Sequence, residues 1–181
     1  HSCVGHRDRT CSGVRALLAS MLALVVWVAL PGHAQVVGEE AELDRLSAKA
    51  EEALANEDAE GAAMSAGRAA LMAAQLSKRH PEGSTRQLWQ ATEHLYRSQE
   101  HGYRAMALFR RAGGELPASA GVCGSLQLAN LELRHAQDRL TSPSLADTEQ
   151  PLPPRLQPLR QTVEDWSIFL DSMQADFRCS S

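Results

Sequence analysis

The sequence predicts an all-α protein of about six helices, built as stacked antiparallel helical hairpins or as an irregular helical bundle. Three observations carry this. No segment alternates apolar and polar residues with the two-residue period of a strand. Apolar residues recur at helical spacing between clear breaks at Asp58, His80–Ser84 and Gly113–Gly114. The stretch from Leu156 to Arg178 places Leu156, Leu159, Val163, Trp166, Leu170, Met173 and Phe177 at alternating steps of three and four. That is a continuous apolar seam made to lie along other helices.

The amino-terminal segment reads differently from the rest. Arg7, Arg9 and Arg15 precede an uncharged, apolar run from Ala16 to Leu30. A membrane-spanning helix needs about 20 apolar residues, so this run is short for an anchor and suits a signal peptide. Pro31 and Gly32 follow, and Gly32-His33-Ala34 sets small residues at the third and first positions before a cut between Ala34 and Gln35. Residues 1–34 are therefore expected to be a cleaved secretory signal, leaving no stable membrane anchor. The protein is expected to be exported, periplasmic or extracellular. Removal takes three arginines and one aspartate, and leaves residues 35–181 with a formal charge of −6. Such acidity speaks against nucleic acid as a partner, because phosphate binding calls for a basic stripe. Only Lys49 and Lys78 are lysine among the bases, and alanine is abundant. This usage fits a high-GC bacterial genome.

The remaining elements follow in order. Residues 35–40 are expected to be a short mobile start. Leu43, Leu46, Ala50, Ala53 and Leu54 pattern a helix from about Ala41 to Asn56. Asp58 can cap a second, alanine-rich helix over Ala59 to about Arg79. Pro81 stops it, since the residue before proline is pushed out of the α region. Ser84 or Thr85 can cap a third helix to about Glu100, with Leu88, Trp89, Thr92, Leu95 and Tyr96 on one face. Gly102 is expected to make a tight turn into a fourth helix, Tyr103–Ala112, which Gly113-Gly114 and Pro117 end. A fifth spans about Gly121–Leu140. Residues 141–155 form a Pro/Ser-rich loop, and the last amphipathic helix, within residues 156–181, packs on the same domain as residues 35–140.

With the signal removed, Cys123 and Cys179 are the two remaining cysteines. An even pair in an oxidising compartment predicts a disulfide. If the fifth and last helices pack antiparallel, the two cysteine-bearing ends meet.

Internal similarity is present. Ala63-Met64-x-x-x-Arg68-x-Ala70 recurs as Ala105-Met106-x-x-x-Arg110-x-Ala112, and Leu88, Ala91, Leu95 and Gln99 recur as Leu126, Ala129, Leu133 and Gln137. Within residues 86–117, Trp89, Tyr96, Ala105, Phe109, Ala112 and Pro117 stand at the spacing of the tetratricopeptide repeat, which this stretch resembles. Thr92-Glu93 departs from that family's Leu-Gly pair, and the flanking units match less well. The resemblance implies a scaffold that holds a protein or peptide partner in a concave groove. A non-repeat helical bundle remains the other architecture.

Residues with chemistry are few. His94 and His101 lie seven apart and could share a helix face, but metal sites favour closer pairing, and solvated histidines are the plainer reading. Glu51-Glu52 and Glu57-Asp58-Glu60 read as a solvated acidic face. There is no Gly-x-Ser-x-Gly elbow, no phosphate-binding loop, no Gly-x-Gly-x-x-Gly and no Cys-x-x-Cys. No catalytic residue, metal ligand or cofactor is assigned. Trp89, Tyr96, Tyr103 and Phe109 could line an aromatic pocket or groove, and packing between helices explains them as well. The function expected is therefore exported, non-enzymatic protein binding or scaffolding. The alternatives are a chaperone-like periplasmic bundle and a small hydrolase whose site forms only in the fold, with His94 and His101 its leading candidates.

Overall fold

The computed structural model describes residues 31–146 and 151–180, with side chains from residue 35 onward. Of the expected signal segment, residues 1–34, residues 1–30 lie outside the described residues, as do the side chains up to Ala34 at the expected cut. Among the described residues there are six helices and no strand. They are α1 (Pro31–Ala55), α2 (Ala59–Arg79), α3 (Ser84–Arg111), α4 (Ala120–Leu140), the single turn α5 (Pro143–Ala146) and α6 (Leu156–Asp176). Two units separate by contact, His1–Val37 and Gly38–Ser181. The second carries the core.

Residues 35–40 do not form a mobile start; they continue α1. Glu39 and Glu40 give the reason. Glu39 accepts two hydrogen bonds from the guanidinium of Arg79 at the end of α2, and Glu40 lies 3.6 Å from Arg155 at the start of α6. Tertiary partners thus extend a helix that local pattern alone starts later.

The α1–α2 turn ends where the sequence suggested. Asp58 accepts from the Gly61 backbone N–H at 2.8 Å, satisfying one of the free donors of the first turn. Along α2, Ala62, Ala66, Ala69, Ala70 and Ala73 are fully buried. Small side chains on this face let α2 lie close against α3.

α3 is the central helix. It packs against α2, α4, α5 and α6. It also differs most from expectation. The turn expected at Gly102 does not exist, and α3 runs unbroken through it. Trp89, Tyr96, Ala105 and Phe109 therefore lie on one helix, so the hairpin implied by the tetratricopeptide-like spacing of residues 86–117 does not form. Glycine in a helix interior costs about 1 kcal/mol relative to alanine. The reason for it here is packing. A Cβ at Gly102 would stand 2.6 Å from Cζ2 of Trp166. The glycine is a notch that admits the Trp166 ring from α6.

α6 follows its seam: Leu156, Leu159, Val163, Trp166, Leu170 and Met173 are buried. Phe177, just past its end, stacks on Phe109 of α3 with ring centroids 4.2 Å apart. The Pro/Ser-rich stretch is not wholly irregular, since α5 inserts Leu145, 1% exposed, into the core. Cys123 and Cys179 are disulfide-bonded, with Cα atoms 5.5 Å apart. Asn130 and Gln174 are hydrogen-bonded further along the same pair of helices. Descending α4 while ascending α6 fixes the two as antiparallel.

Two stability outcomes follow. The disulfide closes a loop of 56 residues, and loss of that constraint restores unfolded-state entropy and lowers stability by about 4 kcal/mol. Calorimetry with and without a reductant should show a fall in Tm of roughly 10 °C or more; an unchanged Tm with both thiols freely labelled contradicts the bridge. Gly102→Ala should destabilise by about 1–3 kcal/mol despite better helix propensity, because the ring must move. Gly124→Ala in α4, where a Cβ meets nothing within 4 Å, should stabilise by about 0.5–1 kcal/mol. If both glycines respond alike in denaturant melts, the notch at Gly102 is refuted.

Candidate functional site

The four aromatic residues of interest sit on α3 and face packing partners. Trp89 is buried, and the Arg155 guanidinium carbon lies 5.6 Å from its ring centroid. Tyr103 is buried with its ring edge-on to Trp166 at 5.3 Å. Tyr96 is half-buried against α1, and Phe109 stacks on Phe177. The four are spread along α3, and Trp89 borders a surface pocket of about 600 Å³ together with Leu88, Pro153 and Arg155. Burial holds the Tyr96 hydroxyl above its ordinary pKa, and burial, with Glu51 adding to it, pushes Tyr103 up to about 12.

Two further concavities flank α3. Between α2 and α3 a groove of about 410 Å³ has an apolar floor of Ala63, Met64, Ala107 and Leu108. Its rim carries two ion pairs, Glu60 with Arg111 and Glu100 with Arg104. Met64 and Leu71, two helical turns apart on α2, are 62% and 59% exposed. They are large apolar side chains left in water on a helix whose other face is full of buried alanine.

A second, polar pocket of about 460 Å³ lies where α3 meets α4, lined by Gln87, His94, His135, Asp138, Arg139 and Ser142. His94 Nδ1 donates to Glu132 Oε2 at 2.7 Å, and His135 Nδ1 lies 4.0 Å from the same oxygen. The two imidazole rings meet edge to face with centroids 5.1 Å apart. His101 does not join them; it is half-buried on α3, and burial lowers its pKa. Among the described residues, His94, Glu132 and His135 are the one group of three or more ligating side chains close enough to hold a metal ion.

Sequence reasoning paired His94 with His101 on one helix face. The signal lay in register. With α3 and α4 joined by the connection after Arg111, an antiparallel pair that sets Ser98 against Ala129 also brings His94 level with Glu132. Glu132-x-x-His135 then puts its two side chains one turn apart on the facing helix.

No family model, no curated protein and no solved structure matches this chain.

The two tyrosines make burial measurable, since Tyr96 and Tyr103 are the only ones in the sequence. The unfolded chain ionises its tyrosines near pH 10, whereas folded Tyr103 stays neutral to about 12. A neutral form favoured by folding contributes stability in full below pH about 10, and loses it as pH rises from there towards 12. Tyrosinate absorbance of the native protein should lag that of the denatured protein across this window; coincident titrations would show that Tyr103 is solvated.

Proposed function

We propose that this is an exported, non-enzymatic protein that docks a protein or peptide partner along the α2–α3 groove. The observation that carries the reading is Met64, exposed in an apolar groove with a charged rim, with Leu71 exposed two turns further along the same helix. Apolar anchors spaced along a helix face, next to a shallow channel between helices, suit a partner helix or an extended segment laid into it. Methionine adapts to irregular partner surfaces, and the rim ion pairs select register and charge. Export is supported by the arginine-flanked apolar run before Gln35 and by the Cys123–Cys179 bridge, which persists in oxidising compartments. No described helix is long and apolar enough to cross a membrane.

Two measurements test this. Mass spectrometry of exported protein should find Gln35 at the amino terminus, and an intact leader on exported protein refutes the cleavage. A photo-crosslinking residue at Met64 or Leu71, introduced in the producing cell, should yield one discrete adduct, while the same group at exposed Gln161 on α6 yields none. Equal adducts at both places, or none at Met64 and Leu71, overturns the groove as the docking site. A broad ladder at Met64 points instead to a chaperone-like bundle with many clients.

A further inference from the structure

We infer that the α3–α4 pocket is a binding site for a divalent transition-metal ion, with His94, Glu132 and His135 as its protein ligands. This does not depend on the groove between α2 and α3. Its basis is the convergence of two imidazoles on one carboxylate oxygen. Oε2 of Glu132 has Nδ1 of His94 at 2.7 Å and Nδ1 of His135 at 4.0 Å, and one ligating atom from each residue falls within 4.8 Å of the others. Only the His94 ring lies within hydrogen-bond distance of that oxygen. A cation seated among the three side chains takes the place of the His94 proton and engages both rings.

The dimensions fit. Metal–ligand bonds of about 2.0–2.2 Å in a tetrahedron set ligand atoms roughly 3.4 Å apart. The present separations bracket that value, so small side-chain rotations close the site without moving either helix. The partial exposure of the trio leaves an entry path: the side chains of His94, Glu132 and His135 are 23%, 21% and 46% exposed. A second observation points the same way. Oε1 of Gln87 on α3 lines the same pocket and is buried without a hydrogen-bond partner. An unpaired buried acceptor is costly, and a metal-bound water is the kind of donor that satisfies one.

The donor set selects the class of ion. Two imidazoles and a carboxylate suit zinc, cobalt, nickel and copper, whereas magnesium and calcium prefer sites made of oxygen alone. Three protein ligands leave a fourth position open to the pocket, the pattern of zinc sites that keep an exchangeable water. α3 and α4 hold the geometry: they are long, they pack along their length, and the buried hydrogen bond from Ser98 to the Ala129 carbonyl fixes their register one turn away.

The test uses the full chain without an affinity tag. Cobalt(II) should bind at one equivalent per chain and give the visible absorption of a low-coordinate nitrogen–oxygen site, and zinc should displace it while magnesium should not. His135→Ala, a change at a half-exposed position that leaves the fold intact, should weaken zinc binding at least about 10-fold in calorimetry. Glu132→Gln should do the same, and His101→Ala should leave binding unchanged. Each variant is checked by its Tm without metal. Absence of cobalt binding overturns the assignment, as does zinc affinity that His135→Ala and Glu132→Gln leave untouched. Equal loss in His101→Ala places the ion elsewhere on α3 and also overturns it.

Discussion

Three helices meet at one buried hydroxyl. Ser98 on α3 is fully buried; it donates to the Ala129 carbonyl of α4 at 2.6 Å and accepts from the indole N–H of Trp166 on α6 at 2.8 Å. One turn away, the Trp166 ring fills the space left by the missing side chain of Gly102. Neither feature is useful alone. A buried indole N–H without a partner costs about 1–3 kcal/mol, and a ring of that size needs a gap in the helix it meets. Together the polar partner and the notch fix where α6 crosses α3, and how far α4 stands from both. The apolar seam of α6 supplies the driving force for association, but apolar contact alone tolerates sliding. The Ser98–Trp166 bond sets the register.

From that point α6 is fastened at both ends. At its start, Arg155 bonds both carboxylate oxygens of Asp44 at 2.7 and 2.8 Å, approaches Glu40 and lies over the Trp89 ring. Single exposed ion pairs add little to stability. Here one guanidinium joins two carboxylates and an aromatic face, holding α1 to α6 across the end of α3. The Arg155 hydrogen bonds keep the Asp44 carboxyl below its ordinary pKa. At the far end, the Phe109–Phe177 stack and the Cys123–Cys179 bridge lock α6 to α3 and α4. The groove and the polar pocket both border α3, so each rests on a helix whose neighbours cannot drift.

Much of this was legible in the residues. The α6 seam translated into burial almost position by position, because a period of three and four over so many turns has one geometric solution. Asp58 and the alanine run gave α2 its start and its close-packing face. Gly102 was misread because glycine has two uses, positive φ in turns and close approach of a neighbour, and a single sequence does not say which one applies. The answer depended on Trp166, distant along the chain. Residues 35–40 depended likewise on Arg79 and Arg155. The polar pocket was invisible for a related reason. The cluster of His94, Glu132 and His135 beside it comes from two helices, and local spacing joins only Glu132 to His135. His94 enters through the antiparallel register of α3 and α4, a tertiary property. The aromatic residues of α3 carry the opposite lesson, since their spacing matched a repeat whose defining turn is absent.

The disulfide has a consequence for the shape of the chain as a covalent object. It encloses α4, α5 and α6 in a ring and leaves α1, α2 and α3 as a tail on that ring. A single peptide-bond cut anywhere between Leu140 and Leu156 opens the ring without releasing a fragment, because α6 stays tethered to the start of α4. The two pieces remain at high effective concentration, and Trp166 can return to Gly102. A cut between α2 and α3, at residues 80–83, has no such tether, and the amino-terminal helices are then held by noncovalent contacts alone. Tolerance of proteolytic nicking is thus unequal along the molecule, high in its carboxy-terminal half and low in the turn that precedes the central helix.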